Sequence, residues 1–139
     1  MESTIINLIG KPTILRFGGL DIAKIEKILK KKVLIKTNSK KKVAPGQFPL
    51  HYSPGIPLRM NVTKPKNDEA FIIIKKKKTK LKNYFYLTTK NNLDEAAKNL
   101  YSCLRKIKNQ GYRSIAVEKI SNIGLGKAIN DRLYRASKL

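Results

Sequence analysis

The residues able to do chemistry in this sequence are few and scattered. Gly124-Leu125-Gly126 stands at the mouth of a helical pattern, where free backbone N–H groups and the positive end of a helix attract phosphate. A dinucleotide fingerprint would need a third glycine and an acidic residue about twenty positions further on. The sequence ends first, so this pair reads as a structural turn before it reads as a phosphate cradle. Lys75 to Lys78 could hold phosphates, yet such a run beside a polar turn commonly forms a solvated loop. His51 is the sole imidazole, able to donate a proton or meet an anion, but the sequence assembles no triad around it. Its neighbour Tyr52 can stack on a base or pack on the domain. Asp131, within the Asn130-Asp131-Arg132 stretch, and Arg135 are spaced for an i,i+4 pair on a helix. Cys103 lies inside an apolar helical pattern and reads as a small core residue. One His and one Cys cannot build a zinc site of the His/Cys type, so no metal site is assigned, and a Cys–His nucleophilic pair is set aside with it.

These residues must be positioned by the elements around them. Thr4 to Ile9 and Pro12 to Phe17 are β-branched runs closed by glycines and read as two strands. A sequence that opens in mid-strand looks like the tail of a sheet whose other strands lie elsewhere. Asp21 can cap a helix carrying Ile22, Ile25, Ile28 and Leu29 at helical spacing, which gives β-β-α up to residue 32. Residues 33–57 read as a linker, stiffened by Pro45, Pro54 and Pro57 and bearing Phe48, Leu50, His51 and Tyr52, more apolar surface than a passive spacer needs. Strands follow at 58–62, 70–75 and 83–87, with a lysine-rich connection between the last two. Asn92 with Glu95 three residues later resembles a capping box, and Leu93, Ala96, Ala97, Leu100, Leu104 and Ile107 trace one helical face up to Gly111. Ser114 to Glu118 is a further strand and Leu125 opens a last helix. The order β-β-β-α-β-α from residue 58 favours a small two- or three-layer α/β sheet.

Composition bounds the partners. The 139 residues hold one ordinary domain, or a small domain with an arm, and exclude two full domains. Thirty-one Lys and Arg against nine Asp and Glu leave a formal charge of +22, which draws polyanions such as tRNA or double-stranded RNA. Base composition alone can also enrich Lys, Ile and Asn together. No apolar run approaches the roughly 18–20 residues that span a bilayer, so no membrane association is expected. The cysteine usage suits the reducing cytoplasm.

Several stretches together resemble one family. Residues 45–59, PGQFPLHYSPGIPLR, resemble the linker of the two-domain threonylcarbamoyl-AMP synthases, whose catalytic part is the YrdC domain. Leu93 to Tyr101 with Leu104-Arg105 resembles the first helix of that family's C-terminal domain, and Gly124 to Leu133 its closing helix. Glu2 to Ile6 and Ile14 to Gly19 resemble the last two strands of the YrdC domain, with Asn7 where the family has Asp and Phe17 where it has Pro. The resemblance implies residues 1–32 as the end of a YrdC domain, 33–57 as linker or lid, and 58–139 as C-terminal domain. The implied fold is α/β: a small Rossmann-like C-terminal sheet with flanking helices, preceded by a β-β-α remnant and a long linker. By the same resemblance Ser3 and Arg16 contact ATP phosphates, and Pro45, Gly46, His51, Tyr52 and Pro54 form a lid across the catalytic cavity. The family reaction joins threonine, bicarbonate and ATP, with Mg2+, into threonylcarbamoyl-AMP and pyrophosphate for tRNA modification. The family's upstream catalytic motifs do not occur in the sequence. The expectation is therefore a split or truncated synthase, inactive alone, with a separately encoded YrdC domain as a possible partner. An RNA-binding basic module and a non-functional remnant are the alternatives.

Overall fold

The structure is a computed structural model that describes residues 2–37, 44–45, 53–79 and 81–138. Its first part holds strands β1 (Ile5–Asn7) and β2 (Thr13–Arg16), helix α1 (Ile22–Leu29) and strand β3 (Leu34–Ile35). β1 pairs antiparallel with β2, and β3 pairs parallel with it on the other side. Residues 34 and 35 therefore extend the first sheet, whereas the sequence placed them in the linker; two residues are too few to show a strand period. Asp21 caps α1 as its position suggests, its carboxylate accepting from the Ala23 N–H at 3.2 Å. The core of this part is small: Ile14, Ile22 and Ile25, with Ile6, Phe17, Leu29 and Val33 packed around them.

The second part contains β4 (Leu58–Arg59), β5 (Ala70–Lys75), β6 (Tyr84–Thr88), α2 (Leu93–Asn109), β7 (Ile115–Val117) and α3 (Leu125–Ala136). Its four strands form an all-parallel sheet in the order β4-β7-β5-β6. β5 and β6, which flank the lysine-rich stretch, are parallel neighbours. Ala70, Ile72 and Ile74 of β5, at the two-residue period of a strand, face α2 and α3, where they meet Leu87, Leu100, Ile107, Ile129 and Leu133 in one continuous core. Phe71, Ile73 and Ala116 on the other face join Val62 and Tyr84 in a smaller cluster. Both helices thus lie on one face, making two layers.

Local hydrogen bonds explain the helix starts. Asn92 caps α2 through the Asp94 and Glu95 N–H groups at 2.8 and 3.2 Å. The reciprocal half of a capping box is replaced: Glu95 accepts from the Thr88 hydroxyl at 2.6 Å, and Thr88 Oγ1 accepts from the Asn92 N–H at 3.2 Å. The end of β6 is thereby tied to the start of α2. At α3, Gly124 has φ +53°, and a Cβ on Gly126 would lie 1.9 Å from the Ser121 carbonyl oxygen. Sterics require these glycines, which matches their reading as a turn. Among the described residues no helix is long and apolar enough to cross a membrane.

Candidate functional site where two sheets meet

Helix α3 is buried on two sides. Ile129, Leu133 and Ala136 enter the main core, while Asp131, Arg132 and Arg135 are buried against the first part of the chain. Arg132, only 1% exposed, donates to the Phe17 carbonyl at 2.6 Å and to the Glu2 carboxylate at 2.7 Å. Arg135 grips both oxygens of Asp131, at 3.0 and 3.1 Å, and reaches the Thr37 carbonyl at 2.8 Å. Asp131 also lies 3.5 Å from Arg132. The Asp131–Arg135 pair is consequently a buried element of the joint rather than a solvated pair on a helix surface. Burying charges is costly unless they are paired, and here carboxylates and carbonyl oxygens supply partners to both guanidinium groups.

The joint holds the N-terminal strand in place. Gly19 donates its N–H to the Glu2 carbonyl at 3.0 Å, and a Cβ on Gly18 would fall 2.2 Å from backbone atoms of Ser3 and Thr4. That close approach sets Ser3 beside Arg16. The Arg16 side chain, 8% exposed, donates through Nε and Nη2 to the Ser3 carbonyl at 3.2 and 3.0 Å, with Nη2 also 3.5 Å from Ser3 Oγ. Its Nη1 donates to the Pro45 carbonyl at 3.2 Å. A planar guanidinium with several donors fits a phosphate in the same way as it fits these carbonyls.

Of the residues expected to form the site, the structure therefore brings Ser3, Arg16 and Pro45 together. Pro54 is buried at the start of the second part, and Gly46, His51 and Tyr52 lie outside the described residues. Sequence reasoning missed Glu2 and Thr37, and it gave Arg132 no partner and Arg135 only its helical pair with Asp131; their burial in the structure shows what they hold. Cys103 is a core residue, and burial pushes its thiol up to about 11, so it stays protonated and a poor nucleophile at neutral pH. Among the described residues no group of three or more His, Cys, Asp or Glu side chains gathers in a way that could hold a metal ion.

Residues 20–138 match the family model described as threonylcarbamoyl-AMP synthase, C-terminal domain. A curated threonylcarbamoyl-AMP synthase from Pyrococcus abyssi (strain GE5 / Orsay) is 29% identical over 157 residues, covering 99% of this chain and 46% of the relative. The crystal structure of P. abyssi Sua5 complexed with L-threonine superposes with a TM-score of 0.79 at 28% identity, over 98% of this chain and 45% of that one. A doubly substituted variant of P. abyssi Sua5 gives a TM-score of 0.76 at 26% identity, over 98% of this chain and 44% of its own. The chain spans less than half the length of each of these relatives.

Proposed function

The chain belongs to the threonylcarbamoyl-AMP synthase family by its C-terminal domain, and we propose that it supplies the lid and C-terminal domain of such a synthase. In this reading it works with a YrdC-type catalytic domain, on the same polypeptide or a separate one, and does not turn over by itself. The reaction consumes threonine, bicarbonate and ATP and yields threonylcarbamoyl-AMP and pyrophosphate. Ser3 and Arg16 would contact the ATP phosphates, and the linker from Pro45 to Pro54, with His51 and Tyr52, would cover them and exclude water.

One observation carries the reading: Arg16 is hydrogen-bonded at once to Ser3 and to the linker carbonyl of Pro45. A linker anchored on the guanidinium that would meet phosphate is placed to respond when phosphate arrives. A phosphate would compete with the Ser3 and Pro45 carbonyls for the same donors. The buried arginines of α3 would then transmit the position of the C-terminal domain to that strand pair.

The test is pyrophosphate release from ATP, threonine and bicarbonate, comparing this chain, a YrdC catalytic domain, and the two mixed. The mixture should turn over faster than either component, and Arg16→Ala or Tyr52→Ala should reduce its rate. A mixture no faster than the catalytic domain alone would refute the proposal.

A further inference from the structure

We propose that the groove between the outer edge of β6 and the flank of α2 binds an extended acidic peptide, which adds to the sheet as a fifth strand. β6 is an edge strand, with β5 on one side and no strand on the other among the described residues. In a parallel ladder, alternate residues direct N–H and C=O to opposite sides. The Phe71 N–H donates to the Asn83 carbonyl at 2.7 Å, which leaves Tyr84 and Tyr86 to present their backbone groups to the outer side. Five residues of strand offer about 16 Å of such an edge.

The second wall of the groove is a helix face. Asn99, Ser102, Lys106 and Gln110 follow one another at helical spacing along α2, and with Lys82 and Phe85 they line a groove of about 330 Å³. The Asn99 side-chain amide donates to the Leu87 carbonyl at 2.9 Å, holding helix and strand at a fixed separation. The charged lining residues are Lys82 and Lys106, with no carboxylate among them. A strand edge beside a helix flank is the arrangement in which main-chain pairing supplies affinity and side-chain contacts supply selectivity.

Charge selects the occupant. A second copy of this chain carries the same +22 and would meet the lysines with like charge, the ordinary way in which edge strands resist self-association. An acidic segment gains from the same lysines. Single-stranded RNA is also anionic, but it draws on a succession of stacking platforms, and of the three aromatic residues that line the groove only Tyr86 is exposed. Phe85 is buried edge-on against Tyr112, Tyr84 packs edge-on against Phe71 in the cluster on the opposite face of the sheet, and Tyr86 lies under the Lys76 ammonium. A run of backbone groups at strand spacing matches a polypeptide instead.

The test uses the full chain, isotopically labelled, titrated with a short acetylated peptide of alternating Glu and Val. The expected result is amide shifts concentrated at Tyr84–Thr88 and along α2. A Lys–Val peptide should give none, and N-methylation of alternate peptide amides should abolish binding. Lys82→Glu with Lys106→Glu should weaken binding about tenfold, as expected for losing two exposed ion pairs; Lys106→Gln alone should have a smaller effect in the same direction. Shifts that avoid β6, binding indifferent to N-methylation, or displacement of the peptide from β6 by a short oligouridylate would each overturn the proposal.

Discussion

The two sheets of this protein are stabilised in different ways. The second part buries eighteen residues in one cluster that joins four strands to two helices. The first part buries three, and six of the ten large apolar side chains exposed among the described residues belong to it: Leu8, Ile9, Leu20, Ile28, Leu34 and Ile35. Burial contributes about 25 cal/mol per Å² of apolar surface removed from water, so the first part gains far less from its own interior. What it lacks in core it takes from α3, through Arg132 on Glu2 and Phe17 and Arg135 on Thr37. Hydrophobic packing builds the second part, whereas a few directional polar contacts orient Ser3, just before β1, and Arg16 on β2.

The largest expected effect is on the packed side. Leu100 is completely buried between α2 and the sheet, and Leu100→Ala should cost about 4 kcal/mol in urea unfolding, from lost transfer energy plus a cavity. Hydrogen exchange in that variant should accelerate throughout β5, β6 and β7; acceleration confined to residues 5–35 would reverse the assignment of roles. Next comes the joint. Arg132→Met leaves Glu2 and the Phe17 carbonyl without their guanidinium and should cost about 3 kcal/mol. Here exchange should accelerate at β1, β2 and α1 while β5 keeps its protection. Uniform loss across both sheets would mean that the parts unfold as one unit and that the contrast is wrong.

The smallest effect sharpens the contrast through pH. Glu69 is buried beside β4 and β5, and it accepts from Arg59 at 2.7 and 2.6 Å and from the Lys66 N–H at 2.7 Å. The Arg59 hydrogen bonds, aided by the Lys66 N–H, hold its carboxyl down at about 2, against desolvation that pushes it up. The folded value lies below the ordinary 4.5, so the stabilisation is complete above about pH 4.5 and is lost as pH falls toward 2. Urea midpoints measured across that window should show the gap between the native protein and Glu69→Gln closing as pH drops. A gap that stays constant would show that the carboxylate contributes nothing specific.

Much of this was legible in the residues alone. The apolar faces of α1, α2 and α3, the caps at Asp21 and Asn92, and the strands of the main sheet follow from periodicities and side-chain donors that act within a few positions. The turn role of Gly124 and Gly126 was also readable, and the structure adds the Ser121 carbonyl that enforces it. Other features were not legible. β3 is two residues long and is defined only by its partner β2. Asn92 and Glu95 mark the helix start as their spacing suggests, but the reciprocal bond of a capping box is replaced because Thr88, seven residues before Glu95, offers a competing hydroxyl.

The residues alone indicated the helices and, β3 apart, the strands, and through the linker and helix motifs the family to which the chain is related. Tertiary structure alone decided what the arginines do. Asp131 and Arg135 satisfy the i,i+4 rule whether exposed or buried, and nothing local distinguishes the two cases. Their meaning comes from Thr37, 98 residues away, and that of Arg132 from Phe17 and Glu2, 115 and 130 residues away. Local pattern encodes which side of an element is apolar. It carries no record of which distant backbone carbonyl will be brought within reach of a guanidinium once those sides are buried.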